Sequence, residues 1–319
     1  MTAIQAGGLT KRYGGQTVVD TVDLQVEPGR VHALLGPNGS GKTTTVRMLA
    51  TLLRPDAGSA RIAGYDIARE TTEVKKRIGS VGQFHAVDPR LTGLENLTMF
   101  GRMNGLPARQ ARTHAGELLE RFDLGAAADR LARDYSGGMR RRLDIVAAMV
   151  VRPAVLFLDE PTTALDPRSR NQIYGYIKDF VKEGTTVLLT TQYLDEADRL
   201  ADSVTILDSG RVIATGTPHE LTASIGGGLD LIADPRRRHE IDSVLTGFGG
   251  IAAPPGDTAD ETEKTAPLSY SFPGAEIPLL PILRALEEAG IEVHDIGRRR
   301  ATLDDAFLAL TGPTARTHR

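Results

Sequence analysis

The sequence contains no cysteine and no tryptophan. The missing thiols exclude disulfides, thiolate catalysis and cysteine-ligated metals together. Aromatic residues make up 5%, too few for a stacking platform on single-stranded nucleic acid. Long hydrophobic runs are also missing. A stretch such as Ile145–Val151 falls far short of the roughly 20 apolar residues that span a bilayer. The opening Met1-Thr2-Ala3-Ile4-Gln5 lacks the character of a signal peptide. Neither sign of charge dominates: 38 Lys and Arg stand against 41 Asp and Glu, a net charge of −3. No overall basic footprint for nucleic acid results. The 7 His residues show no H-x-x-x-H or clustered spacing, which argues against a transition-metal site. These absences predict a soluble, cytosolic chain whose role at a membrane, if it has one, runs through a partner that spans it.

What is there is an ordinary globular composition, 40% hydrophobic and 25% charged over 319 residues, enough for one large domain or two smaller ones. Charge is uneven along the chain. Residues 1–225 carry 28 bases and 26 acids, residues 226–319 carry 10 and 15. Gly226-Gly227-Gly228 marks the break, and two domains are expected, about 1–222 and 228–319. In the first, short apolar strands alternate with helical patterns, which argues for an α/β core. Val31–Leu35, Val155–Leu158, Thr186–Thr190 and Ser203–Leu207 read as strands, and Asp208–Arg211 as a turn into a hairpin strand, 212–214. Residues 88–151 read as mostly helical. In the second, strands are expected at 229–233, 268–272 and 291–296, helices at 236–248, 282–289 and 303–310, and a loop over 249–266. That order suggests a small ferredoxin-like α+β fold.

Gly36-Pro37-Asn38-Gly39-Ser40-Gly41-Lys42-Thr43 fits G-x-x-x-x-G-K-[ST] in full, between an expected strand and an expected helix. The glycines let backbone N–H groups curl around phosphate oxygens, and the helix N-terminus adds its positive dipole end. Lys42 reaches the β and γ phosphates in such a loop, and the Thr43 hydroxyl ligates Mg²⁺. Further on, the strand Val155–Leu158 ends in Asp159-Glu160. Asp159 can hold the Mg²⁺ shell, and Glu160 can orient or deprotonate a water for attack on the γ-phosphate. Between these motifs, Tyr135-Ser136-Gly137-Gly138-Met139 opens an amphipathic helix, an N-terminus open to an anion. By itself it reads better as an ordinary capped helix with a tight turn. Arg140-Arg141-Arg142 within it reads as a solvated face.

The set resembles the nucleotide-binding subunit of ABC transporters over about residues 4–222, every motif in family order. That resemblance implies a P-loop NTPase fold of ABC type, a mixed sheet core with a helical subdomain at about 88–151. It also implies particular roles. Tyr13 is similar to the aromatic residue that stacks on adenine. The phosphate loop runs from Gly36 to Thr44. Gln83 resembles the Gln that touches Mg²⁺ and signals to the membrane subunit. Ser136 to Met139 resemble the signature that closes over ATP held by a second copy, with Tyr135 for the usual Leu and Met139 for the usual Gln. Asp159 and Glu160 match the metal site and catalytic base, and Asp166 the loop exchanged between subunits. Gln192 stands where the family normally has His. An amide there can hydrogen-bond but cannot carry a proton.

Thr190–Asp198, Tyr135–Arg142 and Thr302–Gly312 narrow the resemblance to the daunorubicin-resistance type of ABC ATPase. The implied function is an ATP hydrolase using Mg²⁺ with ATP. It would be a homodimer when ATP-bound, peripheral to the inner face of the cell membrane, powering export of a drug, antibiotic or lipid through a separately encoded permease with transmembrane helices. A soluble ABC ATPase acting on a ribosome or a DNA-repair complex is the alternative. One cassette per chain, no heptad run between 45 and 135 and no basic patch weigh against it. A kinase or GTPase is weighed against by the signature and by the lack of an N-K-x-D motif.

Overall fold

The computed structural model describes residues 2–83, 86–223, 226–252, 268–272, 277–299 and 302–311. The chain forms two compact units, 1–215 and 216–319, so the division falls before the glycines at 226–228.

The first unit begins with two strands that pattern reading did not identify. They are β1 (Ile4–Tyr13) and β2 (Gln16–Val26), paired antiparallel. Their alternation is broken by register shifts between Ala6 and Leu9 and between Leu9 and Lys11, which hides the period-2 signal. After β3 (Val31–Leu35) and α1 (Lys42–Leu49), the strands β4 (Ala57–Ile62) and β5 (Tyr65–Asp66) complete this sheet in the order β2-β1-β4-β5. A short helix α2 (Thr71–Lys75) leads into β6 (Ile78–Val81).

The helical stretch follows as expected, with α3 (Gly93–Met103), α4 (Ala108–Arg121) and α5 (Gly137–Met149). Thr92 and Glu95 close a reciprocal capping box at the start of α3. The chain then runs β7 (Val155–Asp159), α6 (Pro167–Lys182), β8 (Thr186–Thr191), α7 (Leu194–Leu200), β9 (Ser203–Asp208) and β10 (Arg211–Gly216).

The second sheet has the order β10-β9-β3-β8-β7-β6. Strands β9, β3, β8, β7 and β6 run parallel. Every residue of β3, β7 and β8 is buried, as continuous apolar strands covered on both faces must be. The parallel direction brings the C-terminal ends of β3, β7 and β8 side by side, where ligands of open α/β sheets bind.

The second unit contains α8 (Pro218–Ala223), β11 (Gly227–Ala233), α9 (Arg238–Gly247), β12 (Ile251–Ala252), β13 (Leu268–Phe272), α10 (Leu279–Glu288), β14 (Val293–Arg299) and α11 (Leu303–Thr311). Its sheet is antiparallel in the order β12-β13-β11-β14, the split βαβ arrangement of ferredoxin-like folds. Alternate residues Leu229, Leu231, Tyr270 and Phe272 pack with Ile241, Leu245, Ile282 and Leu286 of α9 and α10. The loop expected over 249–266 yields to β12 at 251–252. Its remainder, 253–266, lies outside the described residues.

Candidate active site

The phosphate loop links β3 to α1, and Gly41 caps the helix with φ 100°, a backbone setting that side chains disfavour. Lys42 and Ser40 are buried and Thr43 partly so, while Gly36 is buried beside the exposed Pro37, Asn38 and Gly39. The Lys42 ammonium donates to the carbonyls of Gly36 at 2.8 Å and Pro37 at 3.0 Å. It also lies 4.0 Å from Glu160 Oε1. Burial pulls its pKa below the ordinary lysine value, and the Glu160 and Asp159 carboxylates pull it back up.

Opposite the loop, Asp159 ends β7. Its Oδ1 accepts the Thr43 hydroxyl at 3.0 Å and the Thr190 hydroxyl at 2.6 Å. The Thr190 oxygen in turn accepts the Glu160 N–H at 3.0 Å, and the Thr190 carbonyl accepts it at 3.2 Å. Thr163 donates to Glu160 Oε2 at 3.2 Å. Glu160 has φ 46°. A non-glycine residue held there costs on the order of 1–3 kcal/mol and persists only where its surroundings impose it. Thr190 was not singled out from sequence. It looks like one more residue of an apolar strand, and only the β7–β8 register, Asp159 opposite Thr190, reveals it.

The other expected residues fall into two groups. Gln83 and Gln192 follow β6 and β8, the two strands that flank β7. Val81 pairs with Leu158, and Thr190 with Asp159. Gln83 is exposed and Gln192 half-buried. Tyr13 and Ser136–Met139 stand apart: among the described residues no hydrogen bond or ion pair joins them to the Lys42–Asp159–Glu160 set. Tyr13 is 49% exposed, with the Lys11 ammonium 5.7 Å from its ring centre. Ser136 caps α5 and accepts the Met139 N–H at 3.2 Å. A side chain at Gly138 would meet Ser169 Oγ at 2.5 Å, so the glycine lets α5 abut the turn where Asp166 caps α6. Tyr135 has a packing role: its buried hydroxyl donates to the Ala127 carbonyl at 2.7 Å.

One reading is corrected. Arg141 is not on a solvated face; it is 6% exposed. Its guanidinium donates to the carbonyls of Pro161, Gly82, Asp159 and Glu160 at 2.7–3.1 Å. In a run of three arginines nothing local tells the buried one from its neighbours. Glu196 was likewise not singled out. It is buried, accepts the Thr162 hydroxyl at 2.8 Å, and has its carboxyl pushed up by that burial.

The chain resembles known proteins along its whole length. Residues 19–163 match the family model for ABC transporters. The daunorubicin resistance ATP-binding protein DrrA3 of Streptomyces coeruleorubidus is 49% identical over 99% of this chain and 98% of its own. The chain belongs to the ABC transporter family. Nod factor export ATP-binding protein I of Cupriavidus metallidurans is 40% identical over 98% of both chains. A solved ATP-binding cassette dimer in a post-hydrolysis state with ADP and phosphate superposes with a TM-score of 0.62. It has 25% identity and covers 67% of this chain and 98% of that one. The cassette is thus an ATP-binding subunit and ATPase of ABC type.

The donor set suits Mg²⁺. A hydroxyl and a carboxylate, both hard oxygen donors, meet at 3.0 Å. Among the described residues no group of three or more His, Cys, Asp or Glu could hold a metal by itself.

Proposed function

We propose that the protein hydrolyses ATP with Mg²⁺ as one of two identical cassettes and drives export through a separate permease. The observation that carries this reading is the meeting of Lys42, Thr43, Asp159 and Glu160 at the ends of three parallel strands, locked by Thr190.

In this reading the loop amides of residues 36–44 hold the phosphates, and Lys42 leaves its carbonyl partners for the β and γ oxygens. Thr43, Asp159 and Gln83 would hold Mg²⁺, which would supply charge neutralisation for the phosphates. Glu160 takes a proton from a water whose oxygen bonds to the γ-phosphorus. The bond to the β–γ bridging oxygen breaks with its electron pair on that oxygen, giving ADP and phosphate. Gln192 positions the water or the γ-phosphate by its amide and takes no proton. Tyr13 covers the adenine. Ser136, Gly137, Gly138 and Met139 close over the ATP of the second copy, since one chain has one phosphate loop and one signature. Asp166 lies at the exchanged loop.

Among the described residues no helix is long and apolar enough to cross a membrane. The reading therefore places the cassette at the inner membrane face through its permease, with the second domain, about 228–319 within the unit 216–319, serving assembly. Relatives named for daunorubicin resistance and for Nod factor export share this chain's full length. That supports a cargo chosen by the permease, here a drug, antibiotic or lipid.

The test is calorimetric titration of Mg²⁺-ATP into wild type and Lys42→Ala. The variant is expected to lose binding, because amides alone do not neutralise the β and γ charges. Undiminished affinity would remove the phosphate-loop assignment.

A further inference from the structure

Helix α5 carries the signature at its N-terminus and, one turn further on, a buried Arg141 and a buried Asp144. The Arg141 guanidinium reaches three consecutive carbonyls at the end of β7. Nη2 donates to Asp159 at 2.9 Å and Glu160 at 3.1 Å, and Nε donates to Pro161 at 2.9 Å. Its Nη1 donates to Gly82 at 2.7 Å, the residue before Gln83. Asp144 grips the far side of the same loop, accepting the N–H groups of Ala86 at 2.8 Å and Val87 at 3.3 Å. Three consecutive carbonyls turn toward one point because the chain bends at Glu160, where φ is 46°. The guanidinium serves these three and the Gly82 carbonyl together, four acceptors where an ammonium has only three N–H groups to give.

We propose that Arg141 is a positioning residue for hydrolysis. It holds the Glu160 backbone in its left-handed setting and ties that bend to the carbonyl of Gly82. This rests on Glu160 being the base. Arg141 touches only main-chain oxygens at this bend, so it acts through the placement of the Glu160 carboxylate and not on nucleotide. Small misplacements of a catalytic group cost turnover steeply, about 100-fold for an ångström, while leaving ground-state binding intact.

The experiment uses the full-length protein carrying Arg141→Lys or Arg141→Gln, each alone and combined with Glu160→Gln. ATP affinity is read by calorimetry, turnover by phosphate release at saturating ATP, and folding by melting temperature. We expect kcat to fall roughly 10- to 100-fold in Arg141→Lys, with ATP affinity kept within about threefold. Added to Glu160→Gln, the same change should lower the residual rate no further, because its effect passes through the missing carboxylate. The proposal is overturned if kcat stays within about twofold of wild type, if ATP affinity falls in step with kcat, or if Arg141→Lys costs the same factor with and without Glu160. Failure of both variants to fold would also overturn it, making Arg141 a folding residue. Full turnover in Glu160→Gln alone would defeat the base assignment independently of Arg141.

Discussion

Thr190 offers the sharpest quantitative test of the site. Its side chain is fully buried and makes two hydrogen bonds, donating to Asp159 Oδ1 at 2.6 Å and accepting the Glu160 N–H at 3.0 Å. Thr190→Val keeps the shape and removes both. Asp159 retains the Thr43 hydroxyl, and the Glu160 N–H retains the Thr190 carbonyl at 3.2 Å. The loss is therefore partial. Leaving a buried polar group short of a partner costs about 1–3 kcal/mol. Taking about 2 kcal/mol in the barrier, turnover should fall roughly 30-fold. The half-saturating Mg²⁺ concentration should rise, because a loosened Asp159 holds the metal shell less well. Steady-state phosphate release, measured against ATP and then against Mg²⁺, reads both quantities. Thr190→Ser keeps the hydroxyl and should stay within about threefold of wild type. If Thr190→Val matches wild type in kcat and in Mg²⁺ dependence, the Asp159–Thr190–Glu160 chain of hydrogen bonds has no part in hydrolysis.

Two further outcomes follow from the same geometry. Gln192→His should keep or raise turnover and Gln192→Ala should lower it, by no more than about 1–3 kcal/mol in the barrier for one positioned hydrogen bond; ATPase rates with permease present compare the three. His32 is buried between Ser203 Oγ at 2.7 Å and Thr205 Oγ1 at 3.0 Å, and burial lowers its pKa to about 4. The unfolded chain, with His near 6.5, binds the extra proton first, so this contribution is whole above about pH 6.5 and is lost as pH falls toward 4, about 3 kcal/mol in all. Denaturant unfolding across that range should show wild type losing stability that His32→Asn does not lose; parallel curves would contradict it.

The parts of the site legible from sequence were those written in consecutive residues. The phosphate loop is a run of eight, and Asp159-Glu160 closes an apolar strand. Both declare themselves because backbone curvature and strand ends are local matters. Thr190 and Arg141 were not legible, because each gains its role from a partner far along the chain: a strand register in one case, three carbonyls at a bend in the other. Gln83 and Gln192 were placed only by their resemblance to a family pattern. The fold divides in the same way. The parallel strands read as continuous apolar runs and the α5 helix shows helical spacing, whereas β1 and β2 are disguised by bulges that shift their register. The boundary between the two units follows packing. Helix α8 packs with α11 and so belongs to the second unit, although the glycines that suggested a break come after it.

The central claim is that two copies of this chain close on ATP and that Glu160 then takes the proton that lets hydrolysis release them. The most direct measurement is light scattering of Glu160→Gln with Mg²⁺-ATP, alongside its ATP affinity and phosphate release. The account predicts wild-type affinity, phosphate release cut to a small residual rate, and a mass that doubles with ATP and not with ADP. A variant that turns over ATP as wild type does, or that stays a single chain at saturating ATP, would contradict it.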